Sequence, residues 1–268
     1  MKIGLTVRNM GTQSTREILG DCVAEAEALG FESVWITDHI AIPPDDAEGS
    51  GGRYLDTLTT LAWLAGQTQH IQLGSGVLIL PYRAVLPTAK QVATLQELSN
   101  GRLILGVGIG WMDSEFRALG VDRHQRARIS DDILAFLNTA FANDEVNLNG
   151  QDFLFKPRPA RPPILIGGRA PHALTRALQH GDGWLPMAKN AAQVKPDIET
   201  YFAAAQAQGR TASVSVMTGF ADIETARQEM DAYKSMGVER VICAMRYANT
   251  AEFRSRVQAL QPLLEQSG

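Results

Sequence analysis

The chain has 268 residues, 45% of them hydrophobic and 20% charged, the balance of an ordinary globular protein with enough length to bury a large core. Its formal net charge is −4; with no basic run, nucleic acid and membrane surfaces are excluded as expected partners. It opens on an apolar strand rather than a signal-peptide core and holds no 18-residue apolar run, so a cytoplasmic location is expected.

In chain order, the first predicted strand is Ile3–Val7. A helix follows over about Thr15–Leu29, with Ile18, Cys22, Ala26 and Leu29 at helical spacing, and Gly30 stops it. Strand two is Ser33–Thr37 and helix two about Leu55–Thr68. Strand three is Ile71–Leu78 and helix three about Pro87–Leu98. Asn100-Gly101 turns into strand four, Leu103–Val107. A long helical stretch from Asp113 to Phe141 is expected to break near Gly120. Val146–Leu148 and Phe153–Phe155 flank Asn149-Gly150, a hairpin signal. Four prolines then lead to strand five, Ile164–Ile166, and helix five, His172–Gln179. Strand six is Gly183–Leu185, with a helix running to about Gln208. Strand seven is Val214–Met217, helix seven Ile223–Met236, strand eight Val238–Ala244, and a last helix covers Thr250–Leu264. Cys22 and Cys243, far apart on a helix and a strand, read as two reduced thiols of an intracellular protein.

Eight strand–helix alternations favour an α/β fold of the TIM type, a closed (β/α)8 barrel, over an open doubly wound sheet. Gly106-x-Gly108 follows a strand, but Trp111 stands where a dinucleotide fingerprint needs its third glycine. Residues 1–268 read as one domain with a β-hairpin insertion around 144–162.

A barrel carries its chemistry where strands end. Strand two ends in Asp38-His39. Strand three carries Gly74-Ser75-Gly76. Strand four runs into Gly108-Ile109-Gly110-Trp111, strand five into Gly167-Gly168-Arg169, and strand six contains Gly183-Trp184. Glycines repeated at neighbouring strand ends suit the close approach of a flat ring. Gly167-Gly168 before a helix suits a phosphate, to which Arg169 could add a charge. His39 is of the residue type that suits proton transfer near neutral pH, or else holds a loop carbonyl. Asp38 orients His39, binds a ligand or satisfies loop amides. Asp113 and Glu115 read as the charged first turn of a helix.

Metal chemistry is not expected: the five histidines form no ligand pair. There is no nucleophile elbow and no P-loop. No lysine sits at an inferred strand end for Schiff-base chemistry.

The stretches KIGL, AEALGFESVWITDHI, LGSGVLILPYR, LSNGRLILGVGIGW, PPILIGG and GDGWLP occur in this order over residues 2 to 186. Together they resemble the luciferase-like monooxygenase superfamily, especially the oxidoreductases that use coenzyme F420, a 5-deazaflavin. The resemblance implies a barrel with insertions, often a homodimer, with cofactor ring and substrate meeting over the strand ends. It implies His39 at the ring's reactive face, and Asp38 against the ring or its side chain. It also implies a bulge with a non-proline cis peptide at Gly76-Val77 behind the ring, and Gly167-Gly168 on the phosphate. Gly76, Val77, Ile79, Gly108, Ile109, Gly110 and Arg169 complete the expected cofactor contacts.

Trp111 departs from the sugar-phosphate dehydrogenases of this family, which carry a glutamate there, and their phosphate-binding lysines have no counterpart. With Ile79, Leu80, Ile109 and Trp184, Trp111 implies a rather apolar small-molecule substrate. The favoured function is hydride transfer between F420 and that substrate, with His39 moving the proton. The alternatives are an FMN-dependent monooxygenase using reduced flavin and oxygen, and a non-catalytic flavin-binding protein with no need of His39.

Overall fold

The computed structural model describes residues 1–265, and its organisation follows from buried apolar strands alternating with amphipathic helices. The elements are β1 (Lys2–Thr6), α1 (Arg16–Ala28), β2 (Ser33–Ile36), α2 (Thr57–Ala65), β3 (Gln72–Ser75), β4 (Leu78–Ile79), α3 (Val85–Leu98) and β5 (Leu103–Gly108). Then come α4 (Asp113–Ala118), α5 (Arg126–Ala142), β6 (Glu145–Leu148), β7 (Gln151–Leu154), β8 (Ile164–Gly167), α6 (His172–His180) and β9 (Gly183–Leu185). The last are α7 (Ala191–Ala207), β10 (Ser213–Thr218), α8 (Ile223–Ser235), β11 (Arg240–Cys243), α9 (Thr250–Leu260) and α10 (Pro262–Glu265).

All barrel pairings are parallel. β1 lies between β2 and β11, and the circuit continues through β10, β9, β8 and β5 to β3, which pairs back with β2. The result is the expected TIM-type (β/α)8 barrel, eight strands closed on themselves. Its third strand is interrupted: β3 stops at Ser75, the Gly76–Val77 peptide is cis, and β4 resumes against β5. The expected bulge and cis bond therefore lie where the resemblance put them.

The barrel interior is filled by Trp35, Ile104, Leu165, Leu185, Met217 and Ile242 from six strands. Trp35 dominates it, fully buried, with its indole N–H donated to Ser33 Oγ at 2.8 Å. A buried ring of this size removes roughly 150–250 Å² from water, about 4–6 kcal/mol of apolar burial. This ring corrects one expectation. A Cβ on Gly74 would lie 2.4 Å from Trp35, and one on Gly4 2.7 Å. A Cβ on Gly106 would strike the Ser75 carbonyl, and one on Gly183 the Ser213 hydroxyl. These glycines make room for the protein's own interior, not for a ligand.

The hairpin β6–β7 is antiparallel, and Asn149 and Gly150 both take positive φ (54° and 79°), as its two-residue turn requires. The predicted helix from Asp113 is two helices, parted at Gly120 (φ 67°) and a short 3-10 turn at Arg123–Gln125. The predicted last helix likewise ends at Leu260 before a separate turn beginning at Pro262, whose ring cannot continue the hydrogen-bond ladder. No helix among the described residues is long and apolar enough to cross a membrane. Cys22 and Cys243 are free and buried, and burial pushes both thiols up to about 12.

Candidate functional site at the barrel mouth

Parallel strands bring all their C-terminal ends to one face, so the loops after β2, β4, β5, β8 and β9 share the mouth. His39 stands three residues past β2 with its side chain 16% exposed. Its Nδ1 lies 2.7 Å from Glu115 Oε2.

Glu115 is the residue that local sequence reading misplaced. It was expected as a solvated acid in a helical first turn, and Asp113 is one, exposed and paired with Arg117. Glu115 is fully buried. Across the two turns of α4 and its caps, Met112, Glu115, Phe116 and Leu119 share one face, and Glu115 is the acid inside that apolar stripe. Its Oε1 accepts from the Ile40 and Ala41 amides at 2.7 and 2.9 Å. Its Oε2 also accepts from the Tyr82 hydroxyl at 3.0 Å.

Burial alone would raise the Glu115 pKa. The Ala41 and Ile40 amides and the His39 contact outweigh it and hold the carboxyl below its ordinary value. Burial and the neighbouring Glu115 push the Tyr82 phenol up, so it stays a donor. An ionised carboxylate only accepts, so the His39 Nδ1 carries the hydrogen. In the neutral form of the ring Nε2 then carries the lone pair, and it has no protein partner among the described residues. The ring packs edge-on against Tyr54 at 5.0 Å and Trp111 at 6.2 Å.

Asp38 does not face the mouth. Arg83 grips both its oxygens at 2.6 and 2.8 Å, the Ile79 amide donates at 2.8 Å and the Thr57 hydroxyl at 2.9 Å. Its 0% exposed side chain is saturated by protein partners, which tie it to β4. Ile79 is also corrected. Its amide belongs to Asp38 and its side chain is buried with Tyr82 and Phe116. Leu80 is fully buried too.

Trp184 moves furthest from expectation. It is 1% exposed, its ring tilted against Tyr201 of α7, centroids 6.2 Å apart, on the outer, helix-covered side of its strand. Its neighbour Leu185 takes the inward position instead, as strand alternation requires. Trp184 lines no substrate pocket; its indole N–H donates to the Gly168 carbonyl at 3.0 Å and props that turn from behind.

The remaining residues form a shelf. Val77, half-buried, seats its two methyls where side chains on the neighbouring strand ends would go. A Cβ on Gly108 would lie 2.5 Å from one methyl, and one on Gly167 2.6 Å from the other. Gly76, Val77, Ile109 and Gly110 keep partial exposure, and Gly168, Arg169 and Trp111 are exposed. Gly168 has φ 123°, and a Cβ there would meet only Ala173, at 3.3 Å. Arg169 has no ion-pair partner among the described residues. Trp111 (64%), Ile40 (47%) and Met187 (81%) are large apolar side chains left in solvent at the ends of three different strands. Ile40 and Met187 escaped the sequence reading, because a single apolar loop residue carries no periodic signal.

The luciferase-like monooxygenase family model matches residues 3–267. The chain belongs to this family. It is 26% identical over 242 residues to the 5,10-methylenetetrahydromethanopterin reductase of Methanolobus tindarius, covering 88% of this chain and 69% of that protein. It is 31% identical over 195 residues to the F420-dependent hydroxymycolic acid dehydrogenase of Mycobacterium tuberculosis, covering 69% of this chain and 52% of that protein. Among solved structures, monooxygenase RslO1 from Streptomyces bottropensis superposes over the whole of both chains with a TM-score of 0.83 at 18% identity. An F420-dependent secondary alcohol dehydrogenase, in complex with an F420–acetone adduct, gives 0.80 at 13% identity over 100% of this chain and 99% of that one. At such identities these two likenesses speak for the barrel alone. Family membership makes this protein an oxidoreductase, with relatives that use F420 and others that use FMN.

Among the described residues no group of three His, Cys, Asp or Glu side chains is placed to hold a metal ion. The mouth does fit a flavin-type group. It offers a bare half-exposed shelf at Val77, an apolar rim, and an open glycine turn beside a free guanidinium. The turn at Gly168-Arg169 before α6 would hold a phosphate, and Val77 with Ile109 would back the ring.

Proposed function

We propose that this protein transfers a hydride between coenzyme F420 and a small organic substrate, with His39 taking or giving the accompanying proton at Nε2. The observation that carries this reading is the 2.7 Å contact between His39 Nδ1 and the buried Glu115 carboxylate. It fixes the ring's tautomer and leaves Nε2 as a base aimed at no protein group. The F420-dependent dehydrogenase among the sequence relatives supports the choice of coenzyme. When bound, the deazaflavin supplies the hydride chemistry; the protein positions it and manages the proton.

Glu115 stabilises the imidazolium that forms when Nε2 takes a proton. The Ala41 and Ile40 amides keep Glu115 ionised while it does so. Trp111 and Tyr54 flank the imidazole edge-on. An FMN-dependent monooxygenase is the second reading, favoured by the monooxygenase description of the matching family.

The test is turnover. F420 absorbance is followed with the purified protein over a panel of small alcohols and carbonyls, without oxygen. Turnover that falls roughly 10²–10⁴-fold in His39→Asn supports the reading. Turnover that appears only with reduced FMN and oxygen transfers the assignment to the monooxygenase reading.

A further inference from the structure

A second concavity opens beside the mouth, and its charge is unlike the rest of this acidic protein. It is a cavity of about 520 Å³ lined by Arg8, Gly49, Arg246, Tyr247, Glu252 and Arg256, among others. Arg8 lies two residues past β1 and Arg246 three residues past β11. Both therefore belong to the strand-end face, on neighbouring strands.

Three guanidiniums face one carboxylate. Glu252 is already committed, accepting from Arg256 at 2.6 Å and from the Ala248 amide at 2.8 Å. Arg8 and Arg246 are left without a counter-ion among the described residues. Arg8 is positioned rather than loose. Its amide donates to the Tyr247 hydroxyl at 2.8 Å and its Nη2 to the Gly49 carbonyl at 3.2 Å. Its Nε is buried and has no hydrogen-bond partner. A buried donor left idle on an anchored guanidinium, next to a second unpaired one, is the arrangement that a planar oxyanion satisfies with paired hydrogen bonds.

A backbone bridge links the loop that carries Arg8 to the segment that packs on His39. Tyr54 packs 5.0 Å from the His39 ring, and it pairs through a backbone bridge with Met10, two residues beyond Arg8.

We propose that this cavity is the substrate's anion subsite: the substrate carries a carboxylate or phosphate group that docks on Arg8 and Arg246, bringing the carbon beside it toward His39. This rests on the proposed hydride transfer and names its substrate class, an anionic alcohol or carbonyl compound. It adds an acidic end to the rather apolar substrate that Trp111 implied. The apolar rim meets the ring and the body of the substrate, and the arginines meet its acidic end.

The test is calorimetric titration of the coenzyme-free protein with succinate and with inorganic phosphate. The comparison set is Arg8→Gln with Arg246→Gln, Arg246→Gln alone, and Arg169→Gln. One saturable site for at least one probe is expected, weakened about tenfold or more in the double variant and retained in Arg169→Gln. The exposed Arg246→Gln change alone should weaken it several-fold, which keeps the test readable if the double variant does not fold. Binding should persist after the protein is loaded with F420.

The proposal is overturned if neither probe saturates below roughly tens of millimolar. It is also overturned if only Arg169→Gln loses binding, which places the anion at the glycine turn, or if F420 displaces the probe, which assigns the cavity to an acidic part of the coenzyme. The titration needs no coenzyme, so a protein that binds no F420 would sink the proposed function and leave this result standing by itself.

Discussion

His39 and Glu115 are 76 residues apart in the chain and 2.7 Å apart in the fold, with the carboxylate fully buried behind the imidazole. This pairing turns a loop histidine into an oriented base. Glu115→Gln should therefore act through the tautomer. The amide nitrogen facing His39 would donate where the carboxylate accepted, so Nδ1 would have to accept and the hydrogen would move to Nε2. Turnover should fall roughly 10²–10⁴-fold while coenzyme affinity stays within about threefold. Steady-state kinetics beside a binding titration read both. Full turnover in Glu115→Gln would make the pair a structural contact only.

The same carboxylate predicts an acid limb in stability. The Glu115 carboxyl is held below its ordinary 4.5 in the folded chain. Its contribution is complete above that pH and is lost as pH falls through the lowered folded value, because the unfolded chain binds the proton first. Thermal midpoints below pH 4.5 should fall less steeply for Glu115→Gln than for the natural protein. Parallel curves would contradict the assignment.

The shelf makes a packing prediction. Gly167→Ala would place a Cβ 2.6 Å from Val77 Cγ1 and 3.1 Å from the Val107 carbonyl. We expect a loss of roughly 1–3 kcal/mol by overpacking. Val77→Ala in the same chain should recover part of it by removing the nearer contact, although the carbonyl stays. Denaturant titration of the two single variants and the double variant measures the coupling. Strict additivity would mean that Val77 is not what excludes a side chain there.

Gly168→Ala separates conformation from space. The nearest obstacle to a Cβ is Ala173 at 3.3 Å, but φ is 123°, a region L-residues rarely adopt. The strain is on the order of 1–3 kcal/mol, so the variant should fold with a midpoint lower by a few degrees. Coenzyme affinity should drop at least roughly tenfold, about 1.4 kcal/mol, as the turn that faces the phosphate rearranges. An unchanged affinity would move the phosphate site away from this turn.

The barrel was legible because parallel strands, covered on both faces, appear as short apolar runs between helical stripes. The strand-end positions of His39, Gly168 and Arg169 followed from that alternation. What failed were inferences about where a side chain points. Trp184 was placed at the mouth, although Leu185 holds the inward position next to it. Asp38 was given to the ligand, while its partner Arg83 lies 45 residues away and no local pattern announces it. The glycines of β3 and β5 were read as space for a ring, but Trp35 and the Ser75 carbonyl occupy that space. Glu115 left a usable signal: Met112, Phe116 and Leu119 surround it at the 3- and 4-residue spacings of one buried face. An acid inside such a stripe needs a buried partner.

The most direct test of the F420 assignment is a side-by-side titration of the purified protein with F420 and with FMN, followed by tryptophan fluorescence. Trp111, exposed at the mouth 6.2 Å from His39, should be quenched as the ring seats, while the enclosed Trp35 and Trp184 report little. The account predicts saturation by F420 at micromolar concentration or below, FMN binding at least roughly tenfold weaker, and loss of most of the quench in Trp111→Leu. Tight FMN binding with no response to saturating F420 would contradict it.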